Sequence, residues 1–148
     1  SGMALAAYLS GITLANAGLG LVHGFASSVG GRFPIAHGVI CSSLMYACNK
    51  LTIQELLSTN SNPEALAKYV RVGQLFARSE IKRDQYYLEY LTDFLRELRD
   101  TLNIPTLAEA GVQESLVVQL AEATDNKSNP VKLENDERIE ALKMAMRR

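Results

Sequence analysis

The sequence predicts an all-α fold, an irregular multi-helix bundle, on three observations. Apolar residues recur at steps of three and four, most clearly Leu88, Leu91, Leu95, Leu98 and Leu102, with Arg96, Glu97, Arg99 and Asp100 off that stripe. No segment alternates apolar and polar residues at period two over a useful length. Helix punctuation separates the periodic stretches: Gly30-Gly31, Asn62-Pro63, Asn103-Ile104-Pro105 and Asn129-Pro130. There is no internal repeat.

A chain of 148 residues is long enough for one domain with a real core and short for two. Its 15 basic and 16 acidic side chains leave a net charge of −1, which gives no electrostatic footprint for nucleic acid or an anionic membrane surface. Ser1-Gly2 ahead of Met3 reads as an expression scar, leaving residues 3–148 as the domain. The first charge is Arg32. The uncharged run before it is diluted by Ser10, Thr13, Asn16 and four glycines from Gly11 to Gly24, and it has no basic segment in front. It is therefore expected to be the buried central helix of a soluble protein rather than a membrane span, which needs about 20 predominantly apolar residues, or a signal peptide. A domain that opens on its most buried helix reads as a piece of something longer.

That first helix is expected from Met3 to about Ser28, with the small residues Ala7, Gly11 and Ala15 on one line. Gly30-Gly31 ends it, Pro34 belongs to a short connection, and a second apolar helix is expected from His37 to about Asn49. Cys41 and Cys48, seven apart on that helix, would be separated by about 10 Å along its axis, beyond the roughly 4.4–6.8 Å a disulfide spans. They are expected to be reduced core residues of a cytoplasmic protein with no metal role. Asn62 caps and Pro63 opens a third helix to about Arg78, and the leucine stripe lies on a fourth over 81–102 with one buried seam. Thr106 and Glu109 have the spacing of a capping box. Gly111 precedes a helix over 112–123, and Asn135, Asp136 and Glu137 begin a terminal helix with acids in its first turn.

Several motifs fail on inspection. Gly18, Gly20 and Gly24 approximate a dinucleotide fingerprint, but a helix rather than a strand precedes them and the first carboxylate in the chain is Glu55. Asp125 to Asp136 has the length of a calcium loop, but Lys127 stands where an acceptor is needed and Pro130 where the turn glycine belongs. The chain holds no G-x-S-x-G elbow, Walker loop or H-E-x-x-H, so hydrolase and nucleotide-hydrolysing readings have no support.

The only two histidines, His23 and His37, are fourteen apart around a glycine-rich bend. His23 lies on the four-residue line Gly11, Ala15, Leu19, His23, Ser27. A bend of that kind can turn the second helix start back on the first and bring both rings to one ion. The same spacing is compatible with two core histidines hydrogen-bonded to backbone. A two-histidine site is also incomplete, since catalytic metals are usually held by at least three protein ligands.

The stretch "NAGLGLVHGFASSVGGRFPIAHG", Asn16 to Gly38, resembles the signature of the iron-containing alcohol dehydrogenase family, two metal-binding histidines fourteen apart about a glycine bend. Looser likenesses are "MALAAYLSGI" before the signature, "NIPTLAEAGV" at Asn103 to Val112, and Asn129-Pro130. The resemblance implies a two-domain dehydrogenase, of which this chain matches only the C-terminal helical domain; an N-terminal α/β domain binding NAD(P) would be absent. It implies His23 and His37 as two metal ligands, the other two being an aspartate and a histidine upstream of Met3. The parent would interconvert a small alcohol and an aldehyde or ketone, using Fe²⁺ by family analogy or Zn²⁺ by ligand chemistry. Many members have a third histidine where this chain has Ser27, the candidate for the proton relay, and often a proline where it has Ala36. Leu19, Val22 and Phe33 are expected to line the site. The chain alone is expected to be inactive and, with half the ligands, to hold no metal tightly. A homo-oligomer is compatible with this reading, although truncation could itself expose an apolar surface. The competing reading is a non-catalytic helical interaction module with structural histidines.

Overall fold

The computed structural model describes residues 2–79 and 82–148, and among them there are helices and no strands. Ile81, where the sequence places the start of the leucine helix, lies outside the described residues, as does Ser1 of the expected scar. The order is α1 (Gly2–Ala17), α2 (Leu21–Gly30), α3 (His37–Thr59), α4 (Pro63–Ala77), α5 (Asp84–Thr101), a 3₁₀ turn (Glu114–Leu116), α6 (Val117–Glu122) and α7 (Asn135–Ala145).

The expected first helix is in fact two. Gly18 takes a φ of +74°, a left-handed conformation that glycine adopts without steric cost, and α1 and α2 meet at 91°. Leu19 falls in the break, so the four-residue line from Gly11 to Ser27 does not run along one helix. The expectation of burial fails as well: α1 has no buried residue, and Met3 and Tyr8 are 80% and 67% exposed. Absence of charge does not by itself bury a helix: packing is set by what lies opposite, and α1 lies against no apolar layer of this chain. No single helix among the described residues is long and apolar enough to cross a membrane.

The core is organised around α3. It continues ten residues beyond the expected end because no glycine or proline stands between Gly38 and Pro63, and it closes on Asn60 at φ +48°. Ile40, Leu44, Ala47 and Cys48 pack with Leu21, Phe25 and Val29 of α2 and with Leu120, Ala141 and Leu142 of α6 and α7. Ile53 joins a second cluster with Val70 of α4 and Tyr87, Leu88 and Leu91 of α5. The leucine seam is buried only at its start: Leu98 and Leu102 are 39% and 61% exposed, so the single buried seam expected over 81–102 runs out before the helix ends. The expected 112–123 helix is shorter and begins in the 3₁₀ turn.

Other local readings hold. Asn62 Oδ1 accepts the Ala65 N–H with Pro63 at the first helical position. Thr106 and Glu109 form the reciprocal capping box, Glu109 Oε2 accepting the Thr106 N–H at 2.8 Å and Thr106 Oγ1 accepting the Glu109 N–H at 3.1 Å. In the 125–136 loop Asn126 bonds both backbone groups of Leu133, which fixes a self-contained turn.

Candidate metal centre

Both histidines stand in the first turn of their helices. His23 is the third residue of α2 and His37 the first of α3, and residues 31–36 with Pro34 reverse the chain between them. α2 packs antiparallel on α3 through the shared apolar cluster, with Gly30 against Ile40 and the Leu21–His23 end beside Met45 and Cys48, so the two rings reach toward one another along the facing sides of the helices. The rings come together with centroids 5.3 Å apart and planes tilted by 45°.

A close approach behind His23 makes this possible. Gly24 is buried with its Cα against the Asp125 carbonyl oxygen, and a Cβ there would overlap that backbone group. Asn129 fastens the same loop to the two helices. Its Nδ2 donates to Thr52 Oγ1 at 3.1 Å and to the Val131 carbonyl at 2.8 Å, and its Oδ1 accepts the Leu21 N–H at 3.5 Å.

Cys41, expected from the sequence to be a core residue with no metal role, is half-buried and joins the histidines. It lies one helical turn after His37, and its Sγ is 3.4 Å from His37 Nε2. One ligand atom from each of His23, His37 and Cys41 can be chosen so that all lie within 4.8 Å of one another. In a tetrahedral site with bonds of about 2.0–2.3 Å the donor atoms lie roughly 3.3–3.8 Å apart. The 3.4 Å contact of Cys41 Sγ with His37 Nε2 already has that separation, and the widest pair has up to about 1 Å to close. The His37-x-x-x-Cys41 spacing is the signal for this cluster in the sequence. Cys48, by contrast, is buried as expected, and both thiols are free. Burial pushes the Cys41 thiol above its ordinary value and the Cys48 thiol further, with repulsion from Cys41 adding to the latter.

Ser27 is exposed one turn beyond His23, and its hydroxyl donates to the His23 carbonyl at 3.0 Å. A cleft of about 370 Å³ opens beside His23, with Val22, Met45, Thr52, Tyr69 and Asn129 in its wall. Of the three apolar residues expected there, Val22 takes part; Leu19 lies in the helix break, and Phe33 packs on the main core. Burial and the nearby Cys48 push the Tyr69 phenol up to about 12, so it stays a hydrogen-bond donor at neutral pH. A neighbouring groove of about 430 Å³ shares Tyr69, Ser128 and Pro130 but contains none of the three metal-type ligands, whereas the smaller cleft reaches the cluster through His23, with His37, Cys41 and Ser27 outside its wall.

Residues 1–146 match the family described as Fe-containing alcohol dehydrogenase, C-terminal. The chain is 35% identical over 118 residues to the bifunctional aldehyde-alcohol dehydrogenase of Escherichia coli K12, covering 74% of this chain and 13% of that protein. It is 30% identical over 150 residues to alcohol dehydrogenase 4 of Schizosaccharomyces pombe, covering 97% of this chain and 32% of that one. In three dimensions it is similar to a 1,3-propanediol oxidoreductase, with a TM-score of 0.78 at 26% identity over 93% of this chain and 35% of that structure. The chain thus spans about a third or less of these relatives. Its helical fold, its paired histidines and the match along nearly its whole length place it in the iron-containing alcohol dehydrogenase family, as the C-terminal helical part.

Proposed function

We propose that this chain is the metal-holding half of an NAD(P)-dependent alcohol dehydrogenase, with His23 and His37 as two of the metal ligands. The observation that carries this is the 5.3 Å approach of the two imidazoles in a chain that has no others. Imidazole nitrogen suits Fe²⁺ and Zn²⁺ alike, and the remaining ligands, an aspartate and a histidine, come from sequence before Met3. When bound, the ion supplies Lewis acidity toward a substrate alcohol or carbonyl oxygen.

The chain's own residues do the rest. Val22 and Met45 give the cleft an apolar wall for a small substrate, and Asn129 and Tyr69 fix its polar edge. Ser27 Oγ is the candidate for holding and passing a proton, in the place where the family often has histidine; to do so it exchanges its bond to the His23 carbonyl for one to substrate or water. The nicotinamide cofactor belongs to the α/β half, so the chain by itself is inactive as a dehydrogenase.

The test uses the protein's full reading frame. NAD(P)-linked oxidation of short-chain alcohols is expected, and His23→Ala or His37→Ala is expected to abolish it together with metal content while circular dichroism stays unchanged. Retention of metal and activity in both variants would refute the assignment.

A further inference from the structure

We propose that Cys41 is a third metal donor, so that His23, His37 and Cys41 form a three-point site that lets this chain hold a thiophilic divalent ion by itself. This rests on the histidine pair acting as ligands and adds a residue to it. The α-helix places residues four apart on one face, so His37 and Cys41 present their side chains together, and the packing of α2 adds His23. The resulting cluster has Sγ 3.4 Å from His37 Nε2 and all three ligand atoms within 4.8 Å, close enough for side-chain rotation to bring them onto one ion.

The donor set has a direction. Among the described residues the cluster contains no carboxylate, and the first carboxylate in the chain is Glu55, at the far end of α3. Two imidazoles and a thiolate match zinc and cobalt(II) better than hard, oxygen-seeking ions, and on the general order of divalent affinities both exceed Fe²⁺. Three protein donors are the smallest set that catalytic zinc sites use, and this chain supplies that number without the upstream aspartate and histidine. A bound cation deprotonates the coordinating thiol, so the protonated state of free Cys41 is no obstacle. The half-exposed position of the cluster leaves an entry path. Tight binding is then expected where two histidines alone predict weak binding.

The test titrates the 148-residue chain with Co²⁺ under argon with a phosphine reductant, reading the near-ultraviolet thiolate-to-cobalt charge-transfer band. One equivalent with that band is expected. Cys41→Ser should remove the band and weaken Co²⁺ at least about tenfold, the lower end of what losing even an outer-shell partner costs. Cys48→Ala should leave both unchanged. Independently of any variant, one equivalent of Zn²⁺ should protect Cys41 from alkylation by iodoacetamide. Co²⁺ binding that depends on His23 but shows no charge-transfer band, with Cys41 still alkylated, overturns the thiolate and leaves the histidine pair standing. Absence of binding overturns the three-point site, and binding indifferent to His23→Ala overturns the histidine pair as well.

Discussion

Single residues decide how closely the two histidine-bearing helices approach the rest of the core, and two glycines test this in opposite directions. Gly24 has the Asp125 carbonyl where a side chain would go, so Gly24→Ala must push α2 off the 124–129 loop. Overpacking of this kind costs about 1–3 kcal/mol, which outweighs the roughly 1 kcal/mol that alanine gains over glycine in a helix. Gly38, in the first turn of α3, has nothing within 4 Å of its missing Cβ. Gly38→Ala should therefore raise stability by up to about 1 kcal/mol. Thermal denaturation is expected to move down for the first and up for the second, by roughly 2–4 °C per kcal/mol in a chain of this size. A rise for Gly24→Ala would show that the loop yields freely and that His23 is not held by it.

At the scale of elements, the short turn at 106–109 connects the chain's end to its core through a charge. Glu109 accepts the Thr106 N–H and meets Arg148 at 3.3 Å, while the Leu107 N–H bonds the Ala145 carbonyl at the end of α7. The Thr106 hydrogen bond, helped by Arg148, holds the Glu109 carboxyl below the ordinary glutamate value of 4.5. A group whose folded pKa is depressed stabilises the fold fully above its unfolded value and loses that contribution as pH falls through the folded one. Glu109→Gln should accordingly lower the urea midpoint at neutral pH, and the difference from the unmodified chain should close as pH drops below 4.5. A gap constant with pH would mean the carboxylate charge contributes nothing. The leucine helix is covered over only part of its length. Its periodicity correctly announced α5, yet α4 and α3 cover only its first turns, because a stripe specifies a face and not the length of what packs on it.

For the whole molecule, α1 is the part that the core does not need. It has no buried residue and projects at 91° to α2, carrying Met3, Leu5, Tyr8, Leu9, Ile12 and Leu14 more than two-fifths exposed. Deleting residues 2–16 should leave the denaturation midpoint of the remainder within about 0.5 kcal/mol, the usual range for surface changes. It should also reduce self-association, measured by sedimentation, because an exposed apolar patch of this kind is an association liability. A large loss of stability would mean that α1 packs against the remainder in solution.

The helical class and the caps at Asn62 and Thr106 were legible in the sequence, because each rests on chemistry within a turn or two of backbone, whereas the spacing of His23 and His37 left convergence and two core histidines both open and the family resemblance pointed to the former. The break at Gly18, the bareness of α1 and the length of the covered leucine face were not legible, because each depends on what stands opposite in space. Cys41 lies between these cases: its four-residue step from His37 was there to read, but only the packing of α2 against α3 brought His23 to the same point. Sequence determined which donors exist and on which helix faces; the tertiary structure decided which of them converge, since convergence is a property of two helices buried on one core and not of either alone.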